Sequence, residues 1–155
     1  MLRTQIPHLY LEKTAKGRAV FTGREIESNS IIEICPVIVL SKDDSNIIHQ
    51  TKLHDYYFMW DMNEETCAIA LGYGSLYNHS EKANAEFEIL HAEKEIQFKS
   101  LGPIEAGEEI CINYISLKNE GYGLWFTIKW KLKIENWKLK KFMTNLDNLS
   151  YSVKI

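Results

Sequence analysis

Two short polar segments carry the side chains of this chain that are best suited to chemistry. Residues 72–80 read GYGSLYNHS and residues 107–114 read GEEICINY. Asn78, His79 and Tyr114 supply an amide, an imidazole and a phenol, which can bind a polar ligand or orient a reacting group. Each segment alone is weakly informative, because an asparagine after a Gly-x-Gly turn often caps that turn and a tyrosine at a strand end often only packs.

Taken together, these segments and the GRAVF element at residues 17–21 resemble the SET-domain protein-lysine N-methyltransferases. The resemblance runs from about residue 16 to residue 114, and it points to the short single-domain members that carry a GYGSLYNHS-type segment. It implies a fold that is mainly β with minor α. That fold is the SET-domain β-clip, in which small curved sheets meet at a knot-like crossing near the active site.

The resemblance also implies an activity and a cofactor pocket. Enzymes of the family transfer a methyl group from S-adenosylmethionine to a lysine amine on a protein substrate, and no metal is expected here. In the family, the GRAVF-like element and the Asn-His pair line the cofactor pocket, mostly through backbone groups, whereas the asparagine uses its side-chain amide. The cofactor-binding set implied for this chain is Gly17, Arg18, Ala19, Val20, Asn78 and His79.

Tyrosines are the residues expected to act on the substrate lysine. Tyr114 matches the family's tyrosine that closes the active site beside the methyl group, and Tyr77 is a candidate for a further ring wall. The lysine must react as a neutral amine although its free pKa is about 10.4. Apolar walls and a nearby sulfonium cation lower that pKa. A tyrosine suits such a site because its ring forms a wall while its hydroxyl fixes the amine.

The segment after Tyr114 is predicted to form a lid. Many chromatin-directed members of the family carry a cysteine-rich zinc segment after the core, but Cys111 is the last cysteine of this sequence. Tyr122, Trp125 and Phe126 follow soon after the motif. We expect Trp125 above all to cover the adenine and the lysine channel.

Short strands are predicted to position these residues. A strand is expected at residues 19–22, and the apolar stretch 30–40 is expected to form two strands joined at Pro36, because proline cannot sit inside a paired central strand. A short helix is plausible at residues 43–54. The pattern also predicts two hairpins, formed by residues 56–60 with 67–71 and by residues 85–89 with 95–98.

Length and composition favour one soluble globular domain. With 155 residues, of which 45% are hydrophobic and 25% charged, we expect a SET core at 1–117 and an aromatic, basic extension at 118–155 that packs on it. No apolar run approaches the roughly 18 residues of a membrane span, and the first residues lack the apolar core of a secretory signal. The expected location is therefore cytoplasmic, or nuclear in a eukaryote. Three scattered cysteines and no HExxH pattern speak against a metal site.

The charge distribution indicates the kind of partner. Residues 1–117 contain 10 basic and 18 acidic residues, whereas residues 118–155 contain 8 basic and 3 acidic residues. The acidic body favours a basic, lysine-containing protein substrate such as a histone, and the aromatics of the tail allow a homodimer. Direct binding of nucleic acid is not expected, because such a tail more often packs its aromatics and solvates its lysines. The alternative function is a SET-fold module that binds a peptide or protein with little or no turnover.

Overall fold

The computed structural model describes residues 8–15, 17–61, 63 and 65–114. Within these residues the fold is mainly β, as predicted. The strands are β1 (Leu9–Thr14), β2 (Gly17–Thr22), β3 (Ile31–Leu40), β4 (Tyr57–Asp61), β5 (Thr66–Ala70), β6 (Asn78–His79), β7 (Ala85–Leu90), β8 (Glu95–Ser100) and β9 (Cys111–Ile112). The helices are α1 (Lys42–Ile48) and two 3₁₀ turns, at Lys52–Asp55 and Gly74–Leu76.

The strands form a small antiparallel pair and a longer curled sheet. β1 pairs with β2, and the remaining strands follow the order β4-β5-β3-β8-β7-β9-β6. The predicted hairpins are confirmed as β4 with β5 and β7 with β8. The core between these strands is aliphatic and aromatic, and its fully buried members include Ile32, Ile96, Phe98, Ile110 and Ile112.

One long strand, β3, links the two halves of the larger sheet. The prediction of two separate strands in this stretch is wrong, because β3 continues through Pro36. Its pairing nevertheless changes there: Cys35 lies opposite Ile96 of β8, whereas Val37 lies opposite Ala70 of β5. Proline has no N–H to donate. The strand therefore tolerates it at the point where one partner ends and the next begins.

Two parallel strand pairings bring the motif segments at residues 72–80 and 107–114 next to each other. In β6 and β9, Asn78 lies opposite Cys111 and His79 lies opposite Ile112. Ala85 of β7 also pairs with Ile112 in the parallel sense. β9 therefore lies between β6 and β7. Residues of β6 and β9 are neighbours although they are more than 30 positions apart in sequence.

The predicted helix at residues 43–54 is shorter than expected. Ser41 caps α1 by accepting a hydrogen bond from the backbone N–H of Asp44, and α1 ends at Ile48. Thr51 then caps the first 3₁₀ turn through Leu53 N–H. The two caps split the stretch because a capping residue has extended backbone angles that interrupt a continuous helix.

Several expectations fall outside the described residues. The extension at 118–155, its packing on the core and the lid residue Trp125 all lie there, so they stay predictions. Among the residues that are described, no helix combines the length and the apolar character that crossing a bilayer requires.

Candidate active site

Tyr114 is held at the junction of β6 and β9 by two hydrogen bonds. Its hydroxyl donates to the carbonyl oxygen of Tyr77 over 2.7 Å, and its backbone N–H donates to Nδ1 of His79 over 3.2 Å. Because Nδ1 accepts, a neutral His79 carries its proton on Nε2. The Tyr114 and His79 rings lie 5.2 Å apart between centroids. Tyr114 is still 38% exposed, so these contacts do not bury it fully.

The surroundings of Tyr114 keep its hydroxyl protonated. Burial of the hydroxyl raises its pKa to about 12, and the nearby Cys111, Asp55 and Tyr56 contribute further. A phenol that stays neutral at physiological pH can donate one hydrogen bond and still accept others on its oxygen. The Tyr114 oxygen can therefore accept a hydrogen bond from a substrate while its own hydrogen is donated to the Tyr77 carbonyl.

Asn78 joins β6 to β2 and to the turn at residues 107–109, the GEE turn. Its Nδ2 donates to the carbonyl oxygen of Arg18 over 3.2 Å and to Oε1 of Glu109 over 2.8 Å. Both partners can only accept, so the amide must present its nitrogen to them. Its oxygen, Oδ1, is therefore left as an acceptor on the other side of the group. Sequence reasoning expected the amide to bind a cofactor but did not distinguish the two atoms.

Residues 17–20 of β2 form the wall opposite Asn78. Gly17 has φ +113°, a left-handed conformation that favours glycine. Ala19 and Val20 are fully buried, and the Val20 carbonyl accepts a hydrogen bond from Ile110 N–H over 2.8 Å. Arg18 is exposed, and its guanidinium carbon lies 5.9 Å from the ring centroid of Tyr56. The backbone of β2, rather than most of its side chains, is thus what this wall presents.

Asn84 is a structural member of the site that sequence reasoning left without a role. Its Nδ2 donates to Oε1 of Glu108 over 3.1 Å and to the carbonyl oxygen of Glu109 over 2.9 Å. Its Oδ1 accepts from Cys111 N–H over 2.9 Å. Asn84 therefore fixes the GEE turn to the start of β9, the strand that leads to Tyr114. In the sequence, Asn84 closely follows Asn78-His79-Ser80 and stands just before β7, which were the signals available.

Tyr77 contributes its backbone to the site and its ring to the core. Only 2% of the residue is exposed. The hydroxyl donates to Oε2 of Glu33 over 3.0 Å, and the ring lies 4.8 Å from that of Phe98 between centroids. Its carbonyl oxygen is the atom that touches Tyr114. A catalytic role for Tyr77 as a ring wall stays a prediction, and the contact that the structure provides is through the carbonyl.

Comparison with known proteins decides the family. The sequence model of the SET-domain family matches residues 17–115 of this chain. The chain belongs to the SET-domain family. A relative from Schizosaccharomyces pombe (strain 972), named histone-lysine N-methyltransferase, H3 lysine-37 specific, is 34% identical over 112 residues, which are 72% of this chain and 71% of the relative. The predicted family, that of SET-domain protein-lysine methyltransferases, is therefore confirmed, and with it the enzyme class.

Solved SET-domain structures share the fold. A Plasmodium falciparum protein assigned as a histone methyltransferase superposes with a TM-score of 0.56 at 28% identity, covering 72% of this chain and 95% of that one. The ctPRC2 complex bound to S-adenosylmethionine gives 0.60 at 22% identity, covering 69% of this chain and 15% of that one, which supports the fold alone. The predicted SET-like fold of curled sheets is confirmed, whereas its knot-like crossing stays a prediction.

The SET domain brings most of the predicted site residues together. Asn78, His79 and Tyr114 meet at the β6–β9 junction, and Arg18 reaches it through its carbonyl. Trp125 lies outside the described residues. In the described part of the chain, no group of three or more His, Cys, Asp or Glu side chains is arranged to hold a metal ion.

Proposed function

We propose that this SET domain transfers a methyl group from S-adenosylmethionine to a lysine amine of a basic protein, with a histone as the first candidate. The observation that carries the proposal is the junction of β6 and β9. There the Tyr114 hydroxyl donates to the Tyr77 carbonyl, and the Asn78 amide donates to the Arg18 carbonyl. Tyr114, which is suited to orient an amine, therefore lies near Asn78, which is suited to bind the methyl donor.

The residues present fit S-adenosylmethionine. The methionine part of the donor carries an ammonium group, which needs acceptors. Asn78 offers Oδ1, because both hydrogens of its amide are already used by Arg18 and Glu109. Backbone groups of residues 17–20 would hold the rest of the methionine part, and His79 would contribute through its backbone. When bound, the donor supplies an electrophilic methyl group on a sulfonium.

Tyr114 would position the nucleophile. Its proton is directed to Tyr77, so its oxygen can accept a hydrogen bond from the lysine amine and fix the direction of the nitrogen lone pair. Because burial raises the pKa of Tyr114 to about 12, the oxygen stays neutral and does not stabilise the unreactive ammonium form as a phenolate would. Holding the nitrogen in line with the methyl group supplies much of the rate in such a displacement.

The substrate class follows from charge and from the relatives. The acidic balance of residues 1–117 attracts basic chains. The relative from Schizosaccharomyces pombe is named as specific for H3 lysine 37. We therefore propose a histone-like substrate, and we retain a cytoplasmic or nuclear location and a homodimer as further proposals.

The experiment combines donor binding with turnover. Calorimetry measures S-adenosylmethionine affinity, and labelled donor is then incubated with a panel of basic proteins, with an acidic protein of similar size as the control. We expect saturable binding and label on lysines of at least one basic protein. Binding without transfer to any panel member would favour the peptide-binding alternative. Absence of donor binding would overturn the proposal.

A further inference from the structure

Glu33 is a carboxylate placed in the core of the domain. It lies in β3, and only 5% of it is exposed. A charged side chain is seldom buried to this degree without specific partners. Oε1 of Glu33 accepts from the backbone N–H of Tyr73 and Oε2 accepts from the hydroxyl of Tyr77, each over 3.0 Å, and the thiol of Cys35 lies beside the same carboxylate. The N–H and the hydroxyl both donate, which suits a group that only accepts.

The two tyrosine partners of Glu33 flank one short turn. Tyr73 and Tyr77 stand immediately before and after the 3₁₀ turn Gly74–Leu76, so the two oxygens of a single carboxylate hold both ends of it. Gly72 makes room for this arrangement. It has φ +71°, and a Cβ at this position would overlap Oε1 of Glu33. The segment that precedes β6 is therefore built around the carboxylate.

The anchored residue is also the one that touches Tyr114. The phenol hydroxyl of Tyr77 donates a hydrogen bond to Glu33, whereas its backbone carbonyl oxygen accepts one from the Tyr114 hydroxyl over 2.7 Å. Asn78 follows directly as the first residue of β6. The Tyr77 ring is buried and packed against Phe98, so we expect a shift of the ring to displace the backbone carbonyl that accepts the Tyr114 hydrogen bond.

We propose that Glu33 is a positioning residue for methyl transfer: through the hydroxyl of Tyr77 it fixes the carbonyl that orients Tyr114. This inference rests on the proposed function. Glu33 accepts hydrogen bonds from Tyr73 and Tyr77, so it would act on Tyr114 through Tyr77. If it served stability alone, its loss would lower the melting temperature and leave the turnover of the folded protein unchanged.

The test uses three single variants. Tyr77→Phe removes only the phenol oxygen and keeps the ring and the carbonyl. Glu33→Gln replaces one acceptor oxygen by an NH₂ donor. Ser100→Ala is the matched control, because Ser100 is equally buried at 1% exposure and its hydroxyl donates to the carbonyl of Glu27 over 2.7 Å, away from Tyr114. All are assayed below their own melting temperatures.

Turnover separates positioning from stability. We expect Tyr77→Phe and Glu33→Gln to lower kcat by about 10-fold, with KM for the peptide changed by less than about two-fold. Ser100→Ala should keep kcat although it melts earlier. When Tyr114→Phe is already present, Tyr77→Phe should have no further effect, because the group it positions is gone. Unchanged kcat in Tyr77→Phe, or effects that simply multiply in the double variant, would overturn the proposal.

A measurement independent of turnover separates this inference from the proposed function. In protein made with isotope-labelled tyrosine, the signal of the Tyr114 ring carbon that bears the hydroxyl is assigned by its loss in Tyr114→Phe. We expect this signal to move in Tyr77→Phe and to keep its position in Ser100→Ala. A fixed signal in Tyr77→Phe refutes the positioning role even if the wild type methylates. Failure of the wild type to bind the donor refutes the function, while the signal, read also in Glu33→Gln, still decides whether Glu33 and the Tyr77 hydroxyl position Tyr114.

Discussion

The hydroxyl of Tyr114 reaches the carbonyl oxygen of Tyr77 over 2.7 Å, and this contact ties together two segments that are 37 residues apart in sequence. It depends on parallel pairing of β6 and β9, each only two residues long. Asn78 and Asn84 reinforce the pairing through their amides. These side-chain hydrogen bonds add to the few backbone bonds that such short strands can form. The geometry of the site therefore depends on the two amides as well as on the strand pairing.

Alkaline pH is predicted to weaken the fold. Burial raises the pKa of Tyr57 and of Tyr114 to about 12 and also raises that of Tyr77, whereas tyrosines of an unfolded chain titrate near pH 10. Above that pH the unfolded chain releases protons that the folded chain keeps, so the free energy of unfolding falls as pH rises. The stabilisation from these tyrosines is complete below about pH 10 and is lost toward pH 12.

Urea denaturation at several pH values checks this expectation. Above pH 10 the free energy of unfolding should fall more gently in Tyr57→Phe than in the wild type, because that variant lacks one of the perturbed hydroxyls. The fall begins below pH 10 in both, because burial also raises the pKa of Cys35 and Cys67. A free energy of unfolding that is constant or rising in this range would show that the burial of these hydroxyls is not as described.

Asn78→Asp is predicted to destabilise the junction. The new carboxylate would face the carbonyl oxygen of Arg18 and Oε1 of Glu109, so two hydrogen bonds are replaced by repulsion between acceptors. We expect a loss of about 1–3 kcal/mol in the free energy of unfolding, together with weaker donor binding. Chemical denaturation measures the first effect and calorimetry the second.

A second substitution supplies the control for Asn78→Asp. Adding Glu109→Gln exchanges the roles of donor and acceptor, since the new amide can donate to the new carboxylate. We expect part of the lost stability to return, although the contact with the Arg18 carbonyl does not. If Glu109→Gln adds to the damage instead, the hydrogen bond between Asn78 and Glu109 is not what stabilises the junction.

Gly74→Ala is predicted to strain the turn that leads into β6. A Cβ at Gly74 would lie 2.7 Å from Sγ of Cys35, 2.8 Å from Cβ of Ala70 and 2.9 Å from Cε2 of Phe98. Overpacking of this kind costs about 1–3 kcal/mol. The matched control is Gly102→Ala, because a Cβ at Gly102 meets nothing within 4 Å. Equal melting temperatures for the two variants would contradict the packing around Gly74.

The sequence was sufficient to predict β2, both hairpins and the family motif. The strand at β2 and both hairpins follow from short runs of β-branched and aromatic residues bounded by polar turns, because these preferences are local. The motif residues Asn78 and Tyr114 were predicted through resemblance to the family. Their proximity depends on pairing between distant strands, which no local pattern specifies.

Contacts between parts of the chain that are distant in sequence explain three details that the sequence did not predict. Glu33 interrupts an apolar run, and nothing near it in sequence shows that its partners are Tyr73 and Tyr77, some 40 residues away. Tyr77 was predicted as a ring wall, but alternation cannot show whether a ring or a carbonyl faces the site. Pro36 was expected to break β3, whereas the change of partner strand at that position accommodates it.

The most direct test of the account is methyl transfer by Tyr114→Phe under single-turnover conditions, with S-adenosylmethionine and a lysine-containing histone peptide. Tyr10→Phe, at an exposed tyrosine of β1, is the matched control. We predict that Tyr114→Phe keeps its donor affinity and transfers the methyl group on the order of 100-fold more slowly, because the amine is no longer aligned, whereas Tyr10→Phe matches the wild type. Wild-type rates in Tyr114→Phe would contradict the account.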